Sequence, residues 1–184
     1  RFDAWCKNGK PWKWFNTNNV GNSGDKSIDI HSVYQLVSIL RQSRRGLLVI
    51  GNIRSNEYKL VADFAKSVGI PMMVSALSAP MRFMSPDDGS AVIPYAEHLL
   101  KHPHIKLNLK PDALIQIGHP ILSTEINNPQ IMKHVEHHVL LHSTSSRERI
   151  DPNYSLTHSI SINGGNMGSF LQSVKKELLN TSFH

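Results

Sequence analysis

The strongest constraint on the fold of this chain is a set of short runs that are almost continuously apolar rather than alternating. Gly46-Leu-Leu-Val-Ile-Gly51, Asp112-Ala-Leu-Ile-Gln-Ile-Gly118 and His138-Val-Leu-Leu-His142 are the clearest. A strand with one wet face alternates apolar and polar residues. A continuous run needs cover on both faces, as in a parallel sheet between two helical layers. Ile70–Leu77 reads as a further strand, and Thr157–Ile162 as a fifth, more polar and so nearer an edge.

Helical patterns fall between these runs. His31–Arg44 places Val33, Leu36, Val37 and Leu40 on one face. The next helix is expected to start with Ser55 as N-cap and Glu57 in its positive first turn, and to stop at Gly69 before Pro71. Further helices are expected over Pro94–His102, Asn127–Val135 and Met167–Leu179, with Ser78–Ser90 as a long loop. Strand and helix in alternation, joined by right-handed crossovers, predict an α/β domain. It is a doubly wound, mostly parallel, Rossmann-like sheet with helices on both faces. Ligands of such folds gather at the carboxyl ends of the strands.

The chain has 184 residues, enough for one such domain and an arm. Residues 1–29 read as arm and linker, and 30–184 as the domain. Arg1–Phe15 holds Trp5, Trp12 and Trp14, and residues 16–29 are rich in Asn, Gly and Ser. The aromatic arm is expected to pack partly on this domain and to leave an apolar patch for a preceding one. A start at Arg1 suggests a piece of a longer protein. With Cys6 as its one cysteine, the chain cannot form an internal disulfide. No run approaches the roughly 18 apolar residues of a membrane-spanning helix, and no membrane partner is expected. The net charge of +6 is concentrated in residues 1–45, which carry +5, leaving +1 for the rest. A body so nearly neutral does not suit a nucleic-acid reader, which needs a basic face across it.

Few residues offer chemistry. Gly51 alone follows the first strand, where a dinucleotide fingerprint needs three glycines. Asn52, Arg54 and Ser55 are candidates for holding an anion at the following helix start, the alternative being an ordinary strand-to-helix turn. His134, His137, His138 and His142 flank Glu136 but match no zinc spacing, and no metal site is assigned. His137 and His138 should point to opposite faces of a strand. His119, after Gly118 at a strand end, is a candidate for function. Cys6 lies on the arm, Asp87-Asp88 sits in a Pro/Gly loop, and there is no G-x-S-x-G elbow.

The order of segments adds a resemblance. F-D-A-W-C-K-N-G-K-P-W leads to R-R-G-L-L-V-I-G-N-I-R-S, then G-I-P-M-M-V-S-A-L-S, D-A-L-I-Q-I-G-H-P-I and R-I-D-P-N-Y-S-L-T-H-S-I. Nearly the whole chain resembles the central domain of the 2-succinyl-5-enolpyruvyl-6-hydroxy-3-cyclohexene-1-carboxylate (SEPHCHC) synthases. These are thiamine-diphosphate enzymes of menaquinone and phylloquinone biosynthesis. The strongest element is Arg149-Ile-Asp-Pro152 with His158 following. The resemblance implies a scaffold between a pyrimidine-binding and a diphosphate-binding domain, in a homodimer or homotetramer. Thiamine diphosphate and magnesium or manganese would be held by those outer domains, and the stretch alone would be inactive. The family reaction decarboxylates 2-oxoglutarate and adds the succinyl unit to isochorismate. The compartment implied is the cytoplasm of a bacterium or the plastid stroma of a plant or alga.

The resemblance also implies substrate-facing cations after the third strand, a Gly-Lys-Arg step in the family. Thr124 and Glu125 stand there instead. Either the register differs, or other residues bind the substrate, or the activity has diverged. The substrate-binding candidates are therefore Arg149, Arg147, Thr124, Glu125 and His119. Glu125 is expected to repel a carboxylate unless it turns away or pairs with Arg147 or Arg149. Two alternatives stay open: a flavin- or nucleotide-binding central domain of another thiamine-diphosphate enzyme, and a non-enzymatic interaction module.

Overall fold

A computed structural model describes residues 28–76, 78, 81, 91–93, 95–119, 123–143, 155–162 and 167–180. The tryptophan arm, Cys6, Asp87-Asp88, Arg147 and Arg149 lie outside the described residues.

Five strands form one parallel sheet: β1 (Gly46–Ile50), β2 (Met72–Val74), β3 (Ala113–Ile117), β4 (His137–His142) and β5 (His158–Ser161). Their order is β2-β1-β3-β4-β5. The chain therefore leaves β1 in one direction and returns to its other side at β3, which makes the β1/β3 boundary the topological switch point. The polar fifth strand is at an edge, as its composition predicts.

Every residue of β3 is buried, and four of the five in β1. Within a strand the side chains alternate between two cores. Leu48 and Ile50 face α1 (Ile30–Gln42), α2 (Tyr58–Val68) and α6 (Met167–Asn180). Leu47 and Val49 face α3 (Ala96–Lys101), α4 (Pro103–Asn108) and α5 (Pro129–Met132). Two helical layers thus explain the nearly continuous apolar runs. His138 is 3% exposed while His137 is half-buried, the opposite facing expected of neighbours in a strand.

Several boundaries differ from the expectation. Asp29, not a later residue, caps α1: its carboxylate accepts from the His31 amide at 3.1 Å and from Ser32 Oγ at 2.6 Å. Ser55 is not a cap. A 3-10 turn over Ser55–Glu57 precedes α2, with Arg54 as its N-cap. The strand expected over Ile70–Leu77 narrows to Met72–Val74, and Val92 bridges to Met72. The helix expected over Asn127–Val135 is four residues long, capped by the Asn128 side chain on the Gln130 amide at 2.9 Å. Pro103 does not merely end α3 but takes the first-turn position of α4, where its missing N–H costs nothing.

Candidate functional site

The loops after β1 and β3 meet at the switch point, and they meet backbone to backbone. The Gly51 amide donates to the Ile117 carbonyl at 2.9 Å, and the His119 amide donates to the Asn52 carbonyl at 3.3 Å. A Cβ on Gly51 would lie 1.8 Å from the His119 carbonyl oxygen. A Cβ on Gly118, whose φ is +87°, would lie 2.4 Å from the Asn52 carbonyl oxygen. Both glycines are required for this approach, and Gly118 also for its left-handed backbone. The Ser78 hydroxyl, fully buried, donates to the Gly51 carbonyl at 2.6 Å and accepts from the Ile53 amide at 3.4 Å. The turn that a dinucleotide fold opens to a pyrophosphate is here occupied by carbonyl oxygens, which repel phosphate.

The anion candidates are not assembled into a site. Asn52, Arg54 and Ser55 are all exposed. The Glu57 carboxylate, 8% exposed, accepts from the Arg54 amide at 3.0 Å. The protein's own anion therefore takes the amide that a bound anion would use. Sequence reasoning placed Glu57 in the first turn but did not see that it would fill the position offered to a ligand.

Glu125 turns away from the rim. Its Oε2, out of contact with water, faces Lys106 Nζ at 2.6 Å, an ion pair between the β3–α5 turn and α4. Its side chain is 23% exposed and that of Lys106 19%. Ile126, beside it, is buried in the core under α3 and α5. Burial of Ile126 fixes the turn, and the turn aims Glu125 at the helix layer. The described partner of Glu125 is Lys106, a residue the sequence reading did not consider, while Arg147 and Arg149 lie outside the described residues. Thr124 and His119 are exposed and are not brought together with Glu125 by any described contact.

Asp112 carries the densest polar cluster at the opposite, amino edge of the sheet. Its carboxylate accepts from Ser43 Oγ at 2.5 Å, from the Arg44 amide at 2.8 Å and from the Arg45 amide at 3.0 Å. Its carbonyl accepts from the Glu136 and His137 amides at 2.8 and 3.1 Å. One residue thus ties the end of α1 to the starts of β1, β3 and β4. Desolvation raises its pKa, but the hydrogen bonds from Ser43 and the backbone amides outweigh it and hold it at about 2. Nearby, the His137 and His158 rings lie 5.9 Å apart. Burial, then the His137 charge, lowers the His158 pKa. At the other end of β4, His142 Nε2 lies 3.2 Å from Ser159 Oγ. Among the described residues no three His, Cys, Asp or Glu side chains converge as a metal site requires, and no helix is long and apolar enough to cross a membrane.

No curated protein matches the chain in sequence. A solved structure of a protein from Mycobacterium smegmatis, described as a thiamin diphosphate-dependent enzyme, matches with a TM-score of 0.56 and 17% identity. The match covers 83% of this chain and 28% of that one, and at this identity it speaks for the fold. A family model described as "Middle domain of thiamine pyrophosphate" matches residues 1–177. The parallel sheet ordered β2-β1-β3-β4-β5, packed shut at its switch point, is thus that of a known domain type, and the chain belongs to the family of middle domains of thiamine-diphosphate enzymes.

Proposed function

We propose that this chain is the central scaffold domain of a SEPHCHC synthase, an enzyme that decarboxylates 2-oxoglutarate and adds the succinyl unit to isochorismate. The observation that carries the scaffold reading is the closed switch point: the His119 carbonyl fills the space beside Gly51 that a flavin or nicotinamide pyrophosphate would need. This favours a structural role over the nucleotide-binding alternative. The synthase reading rests on the order of segments, above all Arg149-Ile-Asp-Pro152 followed by His158. Membership of the middle-domain family speaks against a free-standing interaction module.

These residues do not fit the cofactor. The chain has no G-D-G followed by a metal-binding Asn, and Asp112 is engaged by Ser43 and backbone amides and Glu125 by Lys106. Thiamine diphosphate with magnesium or manganese belongs, on this reading, to flanking pyrimidine- and diphosphate-binding domains in a dimer or tetramer. No step of the reaction is assigned to this domain. Its contribution would be charge: Arg149, with Arg147, follows the fourth strand and could clamp a substrate carboxylate bidentately.

The test uses the complete polypeptide with thiamine diphosphate, magnesium, 2-oxoglutarate and isochorismate. Carbon dioxide release that depends on both substrates is expected. Turnover of a different 2-oxo acid, with 2-oxoglutarate ignored, would overturn the assignment. Arg149→Ala should raise KM for isochorismate at least about tenfold, the loss of a charge-assisted bidentate contact.

A further inference from the structure

One cavity among the described residues lies away from the rim. It wraps the amino edge of β1 and β2, with a volume of about 520 Å³, inside the ~300–1,000 Å³ range of small-molecule sites. Its floor is apolar: Leu47, which is 2% exposed, with the partly buried Ile70 and Ile93. Leu178 and Leu179, at the end of α6, form one wall, and Leu179 is 54% exposed.

The rim carries four cations, Arg44, Arg45, Lys110 and Lys175, and no acidic residue among the described residues lines the cavity. None of the four has a carboxylate partner among the described residues. Asp112, the nearby acid, uses its carboxylate on Ser43 and on the backbone amides of Arg44 and Arg45, leaving both guanidinium groups free of it. Glu177 lies on α6 between Lys175 and Leu178 but does not line the cavity. Helices α1, α2, α4 and α6 end around the cavity, and their carbonyl ends supply about half a negative charge each. Part of the cationic rim answers those ends. Four whole charges exceed the sum of four halves and the Asp112 carboxylate beside them, so the rim stays positive.

From this we infer that the amino-edge cavity is a binding site for a small amphipathic anion, with its apolar body on Leu47, Ile70 and Leu179 and its acidic head among Arg44, Arg45, Lys110 and Lys175. The site is separate from the carboxyl rim and independent of the synthase assignment. A bulk apolar patch would not need the charges, and a phosphate site would not need the floor.

Octanoate is the probe, with octanol as its uncharged counterpart and inorganic phosphate as charge without a body. Calorimetry on the complete polypeptide should give saturable octanoate binding with Kd of about 1 mM or tighter, and weak or absent binding of the other two. Lys175→Glu should weaken octanoate at least about tenfold, and so should Leu179→Asp at an exposed position, with the thermal midpoint unchanged. Absence of saturable octanoate binding would overturn the inference. So would equal binding of phosphate or octanol, or unchanged affinity in folded Lys175→Glu and Leu179→Asp proteins.

Discussion

Gly51 and Gly69 differ in what surrounds them, and that difference can be measured. A Cβ at Gly51 strikes the His119 carbonyl oxygen, whereas one at Gly69, with φ +67°, meets nothing within 4 Å. Gly69→Ala should therefore cost only the left-handed penalty, about 1 kcal/mol. Gly51→Ala must push two loops apart and should cost about 3 kcal/mol or more, the range of clashes that strain a packed site. Urea denaturation of the two variants decides it: equal costs would mean the loops are not held together. Asp112 adds a pH signature. Its pKa falls from 3.8 to about 2 in the folded state. The unfolded chain then takes up the proton first, so the stability from this group is present above pH 3.8 and is lost as the pH falls through about 2. Asp112→Asn should lower stability at neutral pH by about 1.5–3 kcal/mol, the worth of hydrogen bonds to a charge. It should also flatten the slope of stability between pH 4 and pH 2 relative to the parent. A parallel slope in parent and variant would assign the acid sensitivity to other groups.

Among the elements, the β3–α5 turn and α4 are joined by one ion pair across the outer face of the core, Glu125 to Lys106. Both side chains are mostly out of solvent, so removing one partner leaves a charge without its counter-ion. Glu125→Gln should cost about 1–3 kcal/mol, and Glu125→Arg more, because it sets two cations together. Exchanging the pair, with Lys106→Glu and Glu125→Lys in one protein, should recover most of the loss in a double-mutant cycle. No recovery would mean that each residue acts through other contacts. Because Glu125 faces α4, Glu125→Gln should leave KM for isochorismate in the complete enzyme unchanged. A raised KM would put Glu125 back at the rim. At this scale the sequence read well where apolar periodicity was strong, as in α1, α2 and α6. It read poorly over residues 70–77 and 127–135, where few apolar residues specify length and side-chain caps and a bridge from Val92 set the ends.

For the molecule as a whole, the packed switch point predicts a domain that organises its neighbours rather than holding a cofactor itself. Calorimetry of this chain with FAD, NADH and thiamine diphosphate should show no saturable binding. Micromolar binding of either dinucleotide would require the Gly51 and His119 loops to part, and would overturn the scaffold reading.

The α/β class, the parallel sheet with two helical layers and the edge position of the fifth strand were legible in the order and polarity of the runs. Burial on both faces leaves a compositional mark on each strand, so local sequence carries it. The middle-domain family was legible too, because it is carried by segments in order along the chain. Which site these segments build was not. Glu125 pairs with Lys106, Glu57 takes its own helix-start amide, and four cations from three separate segments surround one cavity. The ion pair and the cavity depend on residues far apart in sequence and on the direction a turn takes once Ile126 is buried, and the Glu57 contact on the 3-10 turn that forms before α2. Such distances and directions exist only after the layers have packed, and the tertiary structure alone decides them.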